Sequence, residues 1–270
     1  MKYRSILSFP WLLAAVAGLT AFSAATTAAT TTVVETPWLY EHGETTLEGV
    51  LVHDDDVTGP RPGVLVVHQW MGVTGHERER ARRLAEMGHV VLVADVYGQG
   101  VRPADREEAA AQAGIYYGDR DLFRARVAAG LEQLRRHELV DGTRIAAIGY
   151  CFGGGGVLEL ARSGADLAGV VSFHGSLDTP QPAGEGDIRA KILVCHGAVD
   201  PYVKPEAVDG FIDEMEAAGA DYQLIMYAHA VHAFTQKSAG DDPSRGAAYN
   251  AKADARSWRH MQVFFDEILE

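Results

Sequence analysis

One glycine run around a thiol constrains this 270-residue chain more than any other feature: Gly149-Tyr150-Cys151-Phe152-Gly153-Gly154-Gly155-Gly156. Ahead of it, Arg144-Ile145-Ala146-Ala147-Ile148 is short, apolar and turn-bounded, the pattern of a buried strand. Behind it, Val157-Leu158-Glu159-Leu160-Ala161-Arg162 begins a helical pattern. A strand, a sharp glycine-flanked turn and a helix form a nucleophile elbow, with Cys151 where serine stands in G-x-S-x-G. Glycine is needed on both sides because the central backbone is strained and strand and helix pass close together. Cys151 then sits at a helix N-terminus, whose unpaired N–H groups and positive dipole end favour a thiolate. A buried structural cysteine is the plainer alternative, but glycine this dense at a strand-to-helix junction favours the nucleophile. A phosphate-binding loop is excluded, because no Gly-Lys-Ser/Thr follows the glycines.

The rest of the chain supplies the scaffold that such an elbow needs. Residues 33–40 and 46–53 alternate loosely and read as an antiparallel hairpin at a sheet edge, and 60–63 as a turn. Apolar runs at 64–68, 90–94, 144–148, 168–173, 191–195 and 223–227 read as strands. Between them lie helical stretches at about 77–87, 105–114, 119–136, after the elbow, 206–218 and 247–269. Phe123, Val127, Leu131 and Leu134 share one face of the third stretch. Short buried strands alternating with amphipathic helices predict an α/β fold: a mostly parallel twisted sheet covered by helices on both faces. Its active site is expected beyond the carboxyl ends of the strands. With 47% apolar residues, one domain over residues 33–270 can bury a full core.

Residues 1–25 are expected to be a signal peptide. Lys2 and Arg4 precede an apolar run at 6–22, and small residues at 23–29 offer cleavage points at about 25–29. A permanent anchor fits less well, because the run is short, holds Pro10 and Gly18, and lacks a stop-transfer cluster. The expected product is secreted or periplasmic, a monomer or weak oligomer without a stable membrane anchor after processing. The net charge of −13 becomes −15 once Lys2 and Arg4 are removed. Such a surface repels nucleic acid and anionic lipid, so no nucleic-acid partner is expected. The two cysteines, Cys151 and Cys195, meet an oxidising compartment, yet each lies near the end of its own core strand and both are expected to stay free.

A cysteine nucleophile needs a base, and the base a carboxylate to orient it. On a fold of this kind the acid follows the nucleophile and the histidine follows the acid. Asp200 leaves a later strand in His196-Gly197-Ala198-Val199-Asp200-Pro201; a turn residue before proline is its plainer role. Asp178, after the preceding strand, is the second candidate. The base falls between the last strand and the last helix, where His229 and His232 both qualify and position alone does not separate them. His68, His174 and His196 also end strands and are expected to hold loops by hydrogen bonds to backbone. The histidines lack metal-ligand spacing, so no metal is expected. An oxyanion hole would draw on the backbone N–H groups of Phe152 and Trp70.

Over about residues 45–269 the chain resembles the dienelactone hydrolase family of α/β-hydrolases. The matching segments are Gly149-Tyr150-Cys151-Phe152-Gly153-Gly154, Gly197-Ala198-Val199-Asp200-Pro201 and His229-Ala230-Val231-His232-Ala233-Phe234. The resemblance implies hydrolysis of a lactone or ester through a thioester on Cys151, with His232 as base, Asp200 as acid and no cofactor. Two positions depart from the family pattern. Gln69 stands where the family carries a glutamate beside the resting thiol. Gln236, with Lys237 next to it, stands where the family carries an arginine for the substrate's carboxylate. Gln69, Gln236 and Lys237 are the candidate pocket residues, and a small-molecule ester or lactone other than dienelactone fits better. The rival readings are a broad-specificity carboxylesterase with the same triad and a non-hydrolytic, redox-sensing thiol protein.

Overall fold

The computed structural model describes residues 32–270, so the expected signal peptide and its cleavage points lie outside the described residues. The described chain opens with an antiparallel hairpin, β1 (Val33–His42) and β2 (Thr45–Asp54), in which Val33 faces Asp54. The following strands are β3 (Arg61–Val67), β4 (Val90–Ala94), β5 (Val140–Tyr150), β6 (Gly169–Phe173), β7 (Lys191–Gly197) and β8 (Tyr222–Tyr227). They lie in the order β1-β2-β4-β3-β5-β6-β7-β8. The hairpin joins antiparallel to β4, and all later pairings are parallel. The helices among the described residues are α1 (Gly75–Glu86), α2 (Arg106–Gly118), α3 (Arg120–Arg135), α4 (Phe152–Arg162), α5 (Pro205–Ala218) and α6 (Ala251–Leu269). This is the mostly parallel, doubly covered sheet expected of an α/β-hydrolase.

Covering both faces is what makes the strand sequences uniformly apolar. Val64, Leu65, Val66 and Val67 of β3 are all fully buried, and each such side chain contributes roughly 1.5–3 kcal/mol by leaving water. One face packs Ala81 and Leu84 of α1 and Met261, Phe264 and Phe265 of α6 onto Val64, Val66 and Ile148. The other packs Tyr116, Phe123, Leu158 and Phe211, from α2 to α5, near Leu65, Val67 and Ala147. Local chemistry sets the helix ends. Thr74 and Glu77 form a reciprocal capping box at α1, Asn250 caps α6, and α5 begins at Pro205 and stops at Gly219 with φ 66°.

Two local expectations are corrected. Residues 61–63 are not a turn but the start of β3, where Arg61 pairs with Val140 ahead of a register shift at Pro62/Gly63. The Arg61 N–H donates to Leu139 O and its guanidinium to Asp54 O, both at 2.9 Å. Proline is tolerated at such a strand start because the ladder is already interrupted there. The last helix begins at Ala251 rather than 247, because Ala247 instead forms a bridge with His232.

Candidate active site

The elbow is built as its glycines require. Cys151 has φ 54° and ψ −114°, a left-handed backbone that costs a side-chain-bearing residue about 1–3 kcal/mol. Its N–H donates to Phe173 O at 3.0 Å, which ties the turn to β6. A Cβ on Gly149 would lie 1.9 Å from Gly153 O, and one on Gly153 2.2 Å from Val67 O. Only glycine lets β5, α4 and β3 meet here.

Cys151 lies between β5 and α4, Asp200 in the loop after β7, and His232 in the loop after β8. The three form one chain of contacts: Cys151 Sγ is 3.0 Å from His232 Nε2, and His232 Nδ1 is 2.8 Å from Asp200 Oδ2. The second Asp200 oxygen accepts from the Tyr202 N–H at 2.9 Å. The His232 backbone is clamped from both sides, its N–H donating to Gly246 O and its C=O accepting from Ala248 N. A Cβ at Gly197 would stand 2.7 Å from Ala230 O, so glycine lets the acid and histidine loops approach. Burial alone would push the His232 imidazole below its ordinary value. The Cys151 charge and hydrogen bonds to Asp200 and Cys151 more than offset that and hold it at about 10.

The sequence candidates separate cleanly in space. His229 is exposed, has φ 64° and lines a small depression with Asn250, Lys252 and Arg256. Asp178 is exposed beside Pro182 and Glu206. Cys151 and His232 open into a cavity of about 560 Å³ that Gln69, Trp70 and Gln236 also line. Lys237 does not reach it, which corrects its placement. It lines an adjoining hollow of about 220 Å³ with His76, Glu79 and Arg80, at the start of a 3-10 turn over Lys237–Ala239. Of the remaining histidines, His68 accepts from the Val96 N–H and contacts the Gln69 carbonyl. His174 Nε2 lies 2.8 Å from Thr235 Oγ1, and His196 is buried at the end of β7.

Cys195 is fully buried, and burial pushes its thiol up to about 12 despite the nearby Tyr227 hydroxyl. Both cysteines are free. Met71, Asp105, Arg106, Tyr202 and Ser238 also line the cavity, with small residues between them, and were not among the sequence candidates. Tyr202 could have been found, since it follows Asp200 by two residues. Arg106 could have been too, since it opens α2 directly after the loop that follows β4.

The profile of the dienelactone hydrolase family matches residues 47–269. A dienelactone hydrolase-like promiscuous phosphotriesterase from metagenomic libraries is 39% identical, with a TM-score of 0.83 over 88% of this chain and 99% of that one. A carboxymethylenebutenolidase of Rhodococcus opacus is 24% identical over 228 residues, 81% of this chain and 86% of that protein. An uncharacterised Caenorhabditis elegans protein is 37% identical over 151 residues, 54% of this chain and 94% of that protein.

Proposed function

The chain belongs to the dienelactone hydrolase family, and on that premise we propose that it hydrolyses a small-molecule lactone or carboxylic ester through a thioester on Cys151. The observation that carries this is the Cys151–His232–Asp200 chain of 3.0 and 2.8 Å contacts at the wall of an open cavity. His232 takes the Cys151 proton, and Asp200 holds the resulting imidazolium by Nδ1. The thiolate attacks the carbonyl carbon, and the oxyanion is received by the N–H groups of Phe152 and Trp70. Collapse expels the alcohol, which takes its proton from His232.

The same contacts explain why His232 can then act as a base. Two of the influences that raise it come from Cys151, its charge and its hydrogen bond. Both end when the sulfur is acylated, and His232, having given its proton to the alcohol, is neutral and can deprotonate the attacking water. Water adds to the thioester, the acid leaves, and the thiolate–imidazolium pair is restored.

The cavity also bears on the substrate. Gln69 and Gln236 line the cavity as uncharged amides where the family pattern carries a glutamate and an arginine, and the arginine of the lining, Arg106, is accompanied by Asp105, which suits a neutral ester or lactone. A neutral phosphotriester is the second reading, favoured by the 39% identity to a promiscuous phosphotriesterase. We further infer export, on the strength of Lys2, Arg4 and the apolar run at 6–22. Cell fractionation tests that: protein confined to the cytoplasm at full length would refute it.

The test of the chemistry is to quench turnover of p-nitrophenyl acetate and locate the acyl group by mass spectrometry. An adduct on the Cys151 peptide, absent in Cys151→Ala together with turnover, is expected. Undiminished hydrolysis by Cys151→Ala would refute the thioester. A panel of lactones, alkyl esters and aryl phosphotriesters then ranks the substrates.

A further inference from the structure

The loop after β3 shows how one oxyanion donor is aimed. The Gln69 N–H donates to Glu77 Oε1 at 3.2 Å. The Gln69 carbonyl accepts from the Gly72 N–H at 3.0 Å and lies 2.7 Å from His68 Nδ1. The Trp70 carbonyl accepts from the Tyr97 hydroxyl at 2.9 Å. Among the described residues the Trp70 N–H alone, of these backbone groups, donates to nothing. A trans peptide points its C=O and N–H in opposite directions. Holding the Gln69 carbonyl from one side therefore turns the Trp70 N–H the other way, in the loop that walls the cavity beside Cys151.

The donor on the His68 ring is identifiable. The Val96 N–H donates to Nε2 at 3.1 Å, so in the neutral ring the proton is on Nδ1, facing the Gln69 carbonyl. Burial, outweighing the Asp95 carboxylate, keeps the ring below its ordinary pKa and hence neutral. The ring is fully buried and stacks on Phe152, the other oxyanion donor's residue, at 5.7 Å and 16°.

We propose that His68 is a positioning residue: by donating from Nδ1 to the Gln69 carbonyl it presets the Trp70 N–H for the developing oxyanion, with Tyr97 clamping the next peptide. This rests on the acyl-forming role assigned to Cys151 above. Its function is to fix an angle, so it should show in steps that build an oxyanion and in no others. Alkylation of Cys151 by iodoacetamide displaces iodide at a saturated carbon and builds none, whereas acylation by p-nitrophenyl acetate does.

The experiment compares both rates in His68→Phe, His68→Gln and Tyr97→Phe. His68→Phe keeps the aromatic stack and loses both hydrogen bonds. It should lower acylation kcat by about 10- to 100-fold, less than or equal to the loss of a whole oxyanion donor, with KM and the pH profile of alkylation unchanged. His68→Gln can still donate to the Gln69 carbonyl and accept from Val96, and should recover most of the rate. Tyr97→Phe should show the same selective loss, smaller in size. If His68→Phe fails to fold, Tyr97→Phe and His68→Gln decide the matter. Equal losses in acylation and alkylation would mean a merely structural role and overturn the proposal, as would no loss in either. Cys151→Ala run alongside tests the thioester separately: if that variant still turns over ester, the acyl-forming role fails whatever His68 does.

Discussion

Gly153→Ala should cost this protein both stability and turnover, while Gly155→Ala, two residues along the same helix, should cost neither. A Cβ on Gly153 would stand 2.2 Å from Val67 O and 2.6 Å from His68 O, whereas real contacts of this kind do not fall below 3.0 Å. Both atoms are backbone of β3 and its end, so no side chain can swing aside. Instead α4 must lift by about 1 Å, an overpacking that costs roughly 1–3 kcal/mol. In a domain of this size that lowers Tm by about 2–10 °C. The helix carries the Phe152 N–H at its first residue, and a misplacement of about 1 Å at reacting groups costs on the order of 100-fold in rate. At Gly155 the nearest atom to the added Cβ is Ser176 O at 3.6 Å, an ordinary contact. There the gain in helix propensity, about 0.5–1 kcal/mol, should appear as a slight rise in Tm. Thermal unfolding followed by circular dichroism, with kcat/KM on a p-nitrophenyl ester, measures both. Gly153→Ala retaining activity within about threefold at an unchanged Tm would refute the close-approach account, as would equal damage from Gly155→Ala.

Three further outcomes follow from the site. Without reductant, the native protein should label at Cys151 alone and at both thiols once unfolded, because Cys195 is fully buried and pushed up to about 12; mass spectrometry of iodoacetamide-treated protein checks this, and a need for reductant would refute it. His232 is held at about 10, above its ordinary 6.5, so its contribution to stability is complete below the unfolded value and lost as pH rises through about 10. Urea midpoints from pH 7 to 11 should fall there, and at lower pH in Cys151→Ala, which lacks the thiolate's contribution; coincident curves would contradict the assignment. Gln69→Glu puts a carboxylate at a 2%-exposed position on the cavity wall, where it competes for the imidazolium and should slow Cys151 alkylation at neutral pH by about tenfold; an unchanged profile would show that position 69 has no bearing on the thiol.

What could be read from the residues, and what could not, divides along physical lines. The elbow was legible because its glycines answer a local demand, a strained turn and close backbone approach, that few other residues meet. The strands 90–94 and 191–195 were legible because burial on both faces leaves an unbroken apolar run. The start of β3 was hidden by Pro60 and Pro62, which mark a turn by propensity but here sit ahead of a register shift held by Arg61. His229 and His232 are equivalent by spacing. They part only because the bridge from His232 to Ala247 and the loop beyond β7 orient one of them, contacts made across long stretches of chain. Lys237 was misplaced because it opens a short 3-10 turn, a local geometry without a strong sequence mark, and lines the neighbouring hollow rather than the cavity. The strand order, with β4 outside β3, is likewise a product of pairings between distant segments.

The contact between Cys151 and His232 spans 81 positions of sequence, and its consequence lies in the order of synthesis. A growing chain exposes the elbow strand and thiol long before the last strand and the loop carrying His232 have been made. Until that final segment docks, the sulfur lacks its proton acceptor, and Asp200, already made, has no histidine to orient. Reactivity is therefore a property of the finished molecule, conferred late by long-range closure of a parallel sheet, which is slow relative to local helix formation. A nascent or truncated chain carries its most vulnerable atom in an unarmed form.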